Sequence, residues 1–225
     1  MTGTLYLIAT PIGNLGDMTY RAVETIRGLD VLFCEDTRTT MRLLERYDIS
    51  IPLDSYREEA HDRKTAKVLE YLAEGKNVGL VSDAGTPAVS DPGGRLVAAV
   101  IEQMPDAKLV PIPGPSAVAA LISVCGFPGT EFLFLGFPPH KKGRQTFIKE
   151  ALDSPRTVVL YESPHRIMKL LETIEELEPT RRLLIGRELT KVYETLYRGT
   201  ATEVMAALKA TSEKGEYAVA IERKD

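Results

Sequence analysis

Three loops rich in glycine and proline are the segments of this 225-residue chain whose residue types best suit the binding of a small molecule. They span residues 10–17 (TPIGNLGD), 82–94 (SDAGTPAVSDPGG) and 111–116 (PIPGPS), and each follows a short apolar run. Glycine lets the backbone approach a ligand closely, and proline keeps a loop stiff, which lowers the ordering cost of binding. If the apolar runs are parallel strands of one sheet, the loops meet at its carboxyl edge, where open α/β sheets bind ligands. The pattern therefore predicts a small-molecule site.

A dinucleotide is the first ligand to consider, because Gly13 and Gly16 precede a predicted helix and Glu35 ends the next predicted strand. Two features argue against it. Pro11 stands where the dinucleotide-binding motif needs its first glycine, and proline cannot make the same tight turn. The predicted helix begins at Asp17, whose carboxylate would repel a pyrophosphate. No Lys or Arg occurs in the three loops, so the sequence disfavours phosphate-bearing ligands.

Carboxylates are the charged groups that these loops do carry. Asp17, Asp83 and Asp91 lie within them, and Glu35 and Asp36 lie alongside. A crevice that has carboxylates and few cations suits a ligand with a ribose diol and a positive charge. S-adenosylmethionine has both, in its adenosine and its sulfonium, so the electrostatic pattern favours this cofactor.

Strand-like and helix-like runs alternate along nearly the whole chain, which predicts α/β folding with mostly parallel or mixed sheets. The predicted strands span about 4–9, 30–35, 77–82, 108–113, 131–137, 156–162, 182–189, 193–198 and 216–222. The predicted helices include about 17–28, 38–47, 58–74, 94–103, 116–125 and 144–152. A further helix is expected after Ser163 as N-cap and Pro164 at the first helical position. A capping box of Thr200 and Glu203 is expected to open the last helix.

The segment GFPGT (126–130) interrupts this alternation. We therefore expect two α/β domains, 1–115 and 116–225, joined by a linker over about 114–130. The formal net charge is −4, which excludes a globally basic nucleic-acid binder but not a local basic patch. Residues 1–115 contain 12 basic and 17 acidic side chains, whereas residues 116–225 contain 16 and 15, so any nucleic acid is expected at the second domain.

Other classes of protein are disfavoured by the composition. No run of about 18 apolar residues occurs and the N-terminus lacks a secretory pattern, so no membrane span is expected. Cys34 and Cys125 lie in apolar surroundings, which indicates buried reduced thiols in a cytoplasmic protein. The three histidines and two cysteines show no metal-ligand spacing, so no metal is expected.

Six sequence blocks resemble one known family: LIATPIGNLGDMT, CEDTRTT, VSDAGTPAVSDPG, PIPGPSA, YESPHR and GRELTK. They are similar to the ribosomal RNA small-subunit methyltransferase I family, within the tetrapyrrole (corrin/porphyrin) methylase superfamily. The resemblance covers the chain from Thr4 to about Glu222. It implies two α/β domains with an S-adenosylmethionine cleft between them, usually in a homodimer. It also implies 2′-O-methylation of a cytidine ribose in the decoding region of 16S ribosomal RNA.

The resemblance also implies a set of cofactor-binding residues. In the first loop they are Pro11, Ile12 and Gly13, and in the second they are Asp83 and Thr86. Four further positions follow from it: Ser116 and Ala117 after the third loop, and Tyr161 and Ala218 in the second domain.

Methyl transfer to a hydroxyl needs alignment of the reacting atoms and a group that removes the hydroxyl proton. The candidate bases lie at or just beyond predicted strand ends: Glu35, Asp36, Glu162, Glu188 and His165. The neighbouring Arg38, Arg166 and Arg187 are expected either to pair with RNA phosphates or to buttress these carboxylates.

A basic run, His140–Arg144, is the longest acid-free cationic segment and includes Lys141, Lys142 and Arg144. Taken with the resemblance, it predicts a contact with the RNA backbone. Phe137 and Phe147 are candidates for base stacking, although core packing is the simpler role. Two alternatives stay open: methylation of a small tetrapyrrole-like acceptor, and a non-catalytic factor that binds S-adenosylmethionine.

Overall fold

A computed structural model describes residues 2–57, 60–91 and 93–224. The chain divides into two compact units, Met1–Ser116 and Ala117–Asp225. The division falls one residue later than the sequence suggests. Part of the expected linker is a helix of the second unit, because the apolar side chains of Val118 and Leu121 are buried in that unit's core.

The first unit is a five-stranded, wholly parallel sheet with strand order β3-β2-β4-β1-β5. Its strands are β1 (Thr4–Ile8), β2 (Val31–Cys34), β3 (Leu53–Ser55), β4 (Asn77–Val81) and β5 (Lys108–Ile112). Its helices are α1 (Tyr20–Arg27), α2 (Thr37–Arg46), α3 (His61–Ala73) and α4 (Gly93–Gln103). The alternation of strand and helix along the sequence is what requires the parallel arrangement.

The helices cover both faces of this sheet. On one face, Ile26 of α1 and Leu43 of α2 pack with Ile8 of β1. On the other face, Val68 of α3 and Val100 of α4 are buried. The chain leaves β1 toward β2 through α1, and it leaves β4 in the opposite direction, toward β5, through α4. The neighbouring strands β1 and β4 therefore flank a topological switch point, where sheets of this kind bind ligands.

The second unit is a five-stranded mixed sheet with strand order β6-β7-β10-β8-β9. Its strands are β6 (Phe132–Phe134), β7 (Thr157–Glu162), β8 (Leu183–Arg187), β9 (Thr195–Gly199) and β10 (Tyr217–Ile221). Its helices are α5 (Ala117–Ser123), α6 (Arg144–Leu152), α7 (Ile167–Leu177) and α8 (Ala201–Ala210). β6 and β7 are parallel, and the other pairs are antiparallel. Three helices, α6, α7 and α8, cover one face, and α5 packs on the other.

The predicted fold class is confirmed, and most elements lie where the pattern places them. The capping box of Thr200 and Glu203 opens α8 as predicted. Both cysteines are free and buried, also as predicted. Strand β3 is missed by the sequence pattern because it is only three residues long and contains Asp54. The start of the helix predicted over 58–74 lies outside the described residues, which show α3 from His61.

The predicted start of α7 is wrong. The helix begins at Ile167, and Arg166 rather than Ser163 is its N-cap residue. The Oγ of Ser163 accepts a hydrogen bond from Nε of Arg166 at 3.1 Å. The hydroxyl is thus used by a side chain and not by the backbone amides of a helix. Within the part of the chain that is described, no helix is both long enough and apolar enough to cross a bilayer.

Candidate functional site

The three glycine- and proline-rich loops lie next to one another at the carboxyl edge of the first sheet, because β1 stands between β4 and β5. Thr10 and Gly85 exchange two backbone hydrogen bonds, of 2.9 and 3.0 Å, which join the loop after β1 to the loop after β4. The hydroxyl of Thr86 donates to the carbonyl of Pro115 at 3.3 Å, which joins the loop after β4 to the loop after β5. The loops that the sequence singles out thus form one connected edge at the switch point.

Glycine is required at Gly85 by the backbone itself. Its φ of +82° lies in the left-handed region, which side chains disfavour. A Cβ there would lie 3.4 Å from Cγ2 of Ile12 and 3.8 Å from the carbonyl oxygen of Pro115. All three loops therefore meet at this residue, and its missing side chain leaves their backbones close together.

The electrostatics of this edge fit S-adenosylmethionine better than a phosphate ligand. The expected helix start at Asp17 is wrong, because α1 begins at Tyr20 with Thr19 as its N-cap residue. Oδ2 of Asp17 is nevertheless buried and has no hydrogen-bond partner among the described residues, so its carboxylate disfavours a pyrophosphate beside it. Asp91 is held by two backbone N–H donors, of Ala88 at 2.8 Å and Gly93 at 2.9 Å. The loops contribute carboxylates and close backbone approach and no cation, which suits a ribose and a sulfonium.

The loop after β2 brings two further carboxylates to this edge. The backbone N–H of Asp36 donates to Oδ1 of Asp83 at 3.0 Å. Glu35 is half-buried, and its carboxylate makes no hydrogen bond or ion pair with any residue in 2–57, 60–91 or 93–224. Burial, and then the negative charges of Asp83 and Asp91, raise the pKa of Glu35 to about 7. A free carboxyl group with such a pKa is suited to proton transfer near neutral pH.

Asp36 itself is engaged in local structure. Its carboxylate accepts the backbone N–H of Arg38 at 2.8 Å as the N-cap of α2, and it pairs with the exposed Arg38 guanidinium at 3.1 Å. These contacts with Arg38 hold the pKa of Asp36 below its usual range. A carboxylate with a lowered pKa is a weaker proton acceptor, so the geometry favours Glu35 over Asp36 as a base.

Glu162 lies in the second unit and is completely buried, with a side-chain exposure of 0%. Its Oε2 pairs with Arg144 at 2.8 Å and its Oε1 with Arg166 at 2.9 Å. The backbone N–H of Ser163 also donates to Oε1, at 2.7 Å. Both oxygens are occupied, so this geometry disfavours the proton-accepting role expected for Glu162. It equally disfavours direct RNA contacts for Arg144 and Arg166, whose side chains are only 7% and 16% exposed.

Among the other candidates of the second unit, Glu188 and Arg187 have hydrogen-bond partners of their own. Glu188 accepts from Lys191 at 3.0 Å and from the N–H of Glu216 at 2.8 Å. Although burial alone would raise the pKa of Glu188, these two contacts lower it. Nε of Arg187 donates to the carbonyl of Lys214 at 2.5 Å, and His165 is exposed. The catalytic and RNA-binding roles expected for these residues stay predictions.

Three predicted cofactor positions lie close together within the second unit. Ala117 is the first residue of α5, and the next residue, Val118, packs in the same apolar cluster as Tyr161. Tyr161 on β7 faces Ala218 on β10 in register. Burial raises the pKa of the Tyr161 phenol, so it stays protonated. Their contact with a cofactor stays a prediction.

The two candidate stacking residues differ in exposure. Phe137 is 52% exposed and its ring lies 5.4 Å from that of Tyr161, whereas Phe147 packs against the core. Thr10, Gly85 and Pro115, which link the loops, lie within the predicted loops but are not among the predicted cofactor-binding residues. Of the two roles expected for Arg166, buttressing a carboxylate is the one seen, since it pairs with Glu162.

Comparison with known proteins identifies the family and the fold. The model of the family "Tetrapyrrole (Corrin/Porphyrin) Methylases" matches residues 4–205. A cobalt precorrin-4 methyltransferase of cobalamin biosynthesis has the same fold, with a TM-score of 0.71 and 15% identity over 97% of this chain and 94% of that one. A uroporphyrin-III C-methyltransferase from Thermus thermophilus aligns with a TM-score of 0.66 and 19% identity, over 98% and 94%. The family match over residues 4–205, together with the fold, thus defines a methyltransferase that uses S-adenosylmethionine.

Much more similar relatives carry the name ribosomal RNA small subunit methyltransferase I. The Thermotoga maritima protein is 40% identical over 99% of this chain and 100% of its own length. The protein of Borrelia garinii subsp. bavariensis is 42% identical over 97% of this chain and 98% of its own. The chain belongs to this methyltransferase I family within the tetrapyrrole methylases.

Proposed function

We propose that this chain transfers the methyl group of S-adenosylmethionine to the 2′-oxygen of a cytidine ribose in the decoding region of 16S ribosomal RNA. The observation that carries the proposal is the connected edge of three loops at the switch point, in a chain that is 40% identical to a ribosomal RNA methyltransferase over its whole length. The cation-free edge is the proposed cofactor site. The acceptor, ribosomal RNA of the small subunit, is inferred from the names of the relatives.

The cofactor contacts proposed in the first unit are Pro11, Ile12, Gly13, Asp83, Thr86 and Ser116. When it is bound, S-adenosylmethionine supplies a methyl group activated by the sulfonium charge. The residues of the chain bind the cofactor and orient its methyl group toward the ribose hydroxyl. The rigid loops lower the ordering cost, and correct alignment of reacting atoms contributes about 7–11 kcal/mol to such transfers. The carboxylates at the edge disfavour competing ligands that carry phosphate.

Glu35 is proposed as the group that accepts the proton of the ribose hydroxyl. Its carboxylate is free within the described residues and lies beside the loop after β4. The carboxylates of Glu162 and Glu188 are already occupied. A base in this position contributes roughly 10²–10⁴-fold to the rate.

Lys141 and Lys142 are proposed as contacts to the RNA backbone. Both are exposed, and within the described part of the chain neither forms an ion pair. Phosphate contacts of this kind give an affinity that falls with salt. The family resemblance also leads us to propose that the chain is cytoplasmic and forms a homodimer. Light scattering of the purified protein tests the dimer.

A filter-binding assay with tritiated S-adenosylmethionine tests the proposal. Small ribosomal subunits lacking the modification are the acceptor, and the labelled RNA is digested to nucleosides. Label in 2′-O-methylcytidine is the expected result. Label on a base, or in no RNA at all, would contradict it. A parallel reaction with uroporphyrinogen III tests a tetrapyrrole-like acceptor, the activity class of the two similar solved structures. Cofactor binding without any transfer would indicate a non-catalytic factor.

A further inference from the structure

The buried ion cluster around Glu162 reaches the basic run of the second unit through its two arginines. Nη1 of Arg166 donates to the carbonyl of Pro138 at 3.0 Å. Nη1 of Arg144 donates to the carbonyl of Pro139 at 3.4 Å. Each guanidinium thus bridges the Glu162 carboxylate and the backbone of the segment between β6 and α6. We name residues 138–143 of that segment the basic loop.

The basic loop has exposed cations at its tip and is attached at both ends. Lys141 and Lys142 are exposed, and the N–H of Arg144 donates to the carbonyl of Lys141 at 3.3 Å. Gly143 is the N-cap residue of α6. Its φ of +83° lies in the left-handed region and turns the chain into the helix. The contacts on Pro138 and Pro139 hold the other end. The loop is therefore positioned by charge pairs in the interior.

A buried ion cluster is not explained by its contribution to stability. Removing charges from water costs several kcal/mol per ion, and replacement of such clusters by apolar side chains is often neutral or stabilising. Here Nε of Arg144 is in addition buried without a hydrogen-bond partner in the described residues. What the arginines provide and apolar side chains do not is directional donors for two backbone carbonyls.

We propose that Glu162 is a positioning residue for RNA binding: through Arg144 and Arg166 it holds the basic loop in one conformation, with Lys141 and Lys142 directed to RNA phosphates. The inference rests on the proposed function, because the partner is the RNA of the small subunit. A loop that is ordered before binding loses less conformational entropy on binding, so the cluster acts on affinity and leaves the methyl-transfer step unchanged.

The test compares the full-length protein with Glu162→Gln, and with Arg166→Met as a milder variant that keeps the Arg144–Glu162 pair. We expect the dissociation constant for small subunits to rise about tenfold for Glu162→Gln and a few-fold for Arg166→Met. The slope of log affinity against log salt concentration should become shallower by the amount that corresponds to the loss of about one phosphate contact. At saturating subunits, kcat should stay within twofold, and the affinity for S-adenosylhomocysteine should not change. Glu176→Gln, an exposed charge change on α7, is the matched control.

A double-mutant cycle decides whether the cluster acts through the lysines. Lys141→Ala/Lys142→Ala should weaken RNA binding in the parent and cause little further loss in the Glu162→Gln background. Equal losses in both backgrounds, or an unchanged salt slope in Arg166→Met, would overturn the inference. Thermal unfolding of each variant identifies any that fail to fold, and the Arg166→Met result then decides. If the unaltered protein labels no RNA, the proposed function fails instead, which is a separate result.

Discussion

The backbone N–H of Asp36 donates to the Asp83 carboxylate at 3.0 Å, and this contact ties the loop after β2 to the loop after β4. The strands are neighbours, so the link joins two loops at the same edge of the sheet. It brings Asp83, a predicted cofactor residue, next to Glu35, the proposed base. Burial raises the pKa of Glu35, and the negative charge that suits a sulfonium ligand raises it further.

Glu35→Gln should lower the rate of methyl transfer by roughly 10²–10⁴-fold, because glutamine cannot accept the ribose proton. Single-turnover transfer of tritiated methyl groups to small subunits measures this rate in the variant and in the parent. The dissociation constant for S-adenosylhomocysteine should be unchanged. Glu45→Gln, at an exposed position on α2, is the matched control and should retain full activity. Full activity of Glu35→Gln would remove it from the mechanism.

The rate of methyl transfer should rise with pH through about 7, where Glu35 loses its proton. Asp91→Asn should move this rise to lower pH, because it removes a negative charge that raises the pKa of Glu35. The asparagine oxygen can still accept from Ala88 and Gly93, so the loop is preserved. Single-turnover rates from pH 5 to 9 measure the shift. A rise at the same pH in both proteins would contradict this assignment.

Glu35 should also make the stability of the protein depend on pH. Its pKa is about 7 in the folded chain and 4.5 in the reference state, so the folded chain binds more protons between these values. The contribution of this group to stability is therefore fully present below about pH 4.5 and is lost as pH rises to about 7. Glu35→Gln should raise Tm relative to the parent at pH 8 more than at pH 5. Calorimetry that shows the same difference at both pH values would argue against a raised pKa.

Gly85→Ala should weaken cofactor binding, because a Cβ at φ +82° strains the residue that joins the three loops. Gly126→Ala is a matched control: its φ is +76° and nothing lies within 4 Å of the added Cβ. Both substitutions should lower the free energy of unfolding by about 1–2 kcal/mol. Only Gly85→Ala should reduce the affinity for S-adenosylhomocysteine in titration calorimetry. An equal loss of affinity in Gly126→Ala would show that the effect is general strain.

Local chemistry explains why much of the fold is predictable from the sequence. The capping box at Thr200 depends on residues three apart, and each glycine- and proline-rich loop is a turn signal in itself. The start of α7, in contrast, is determined by contacts with residues that are distant in sequence. Arg166 is drawn to Glu162 and to Pro138, which is 28 residues away in sequence, so the Ser-Pro signal at 163–164 does not open the helix.

The sequence by itself determined that strands and helices alternate, that three rigid loops follow strands, and that these loops lack cations. Each of these properties is encoded in neighbouring residues. Only the tertiary structure decided which carboxylates are free: Glu35 is left without a partner among the described residues, whereas Glu162 is enclosed by two arginines. The reason is physical, because the pKa and the availability of a carboxylate depend on burial and on charges that chain folding brings from distant positions.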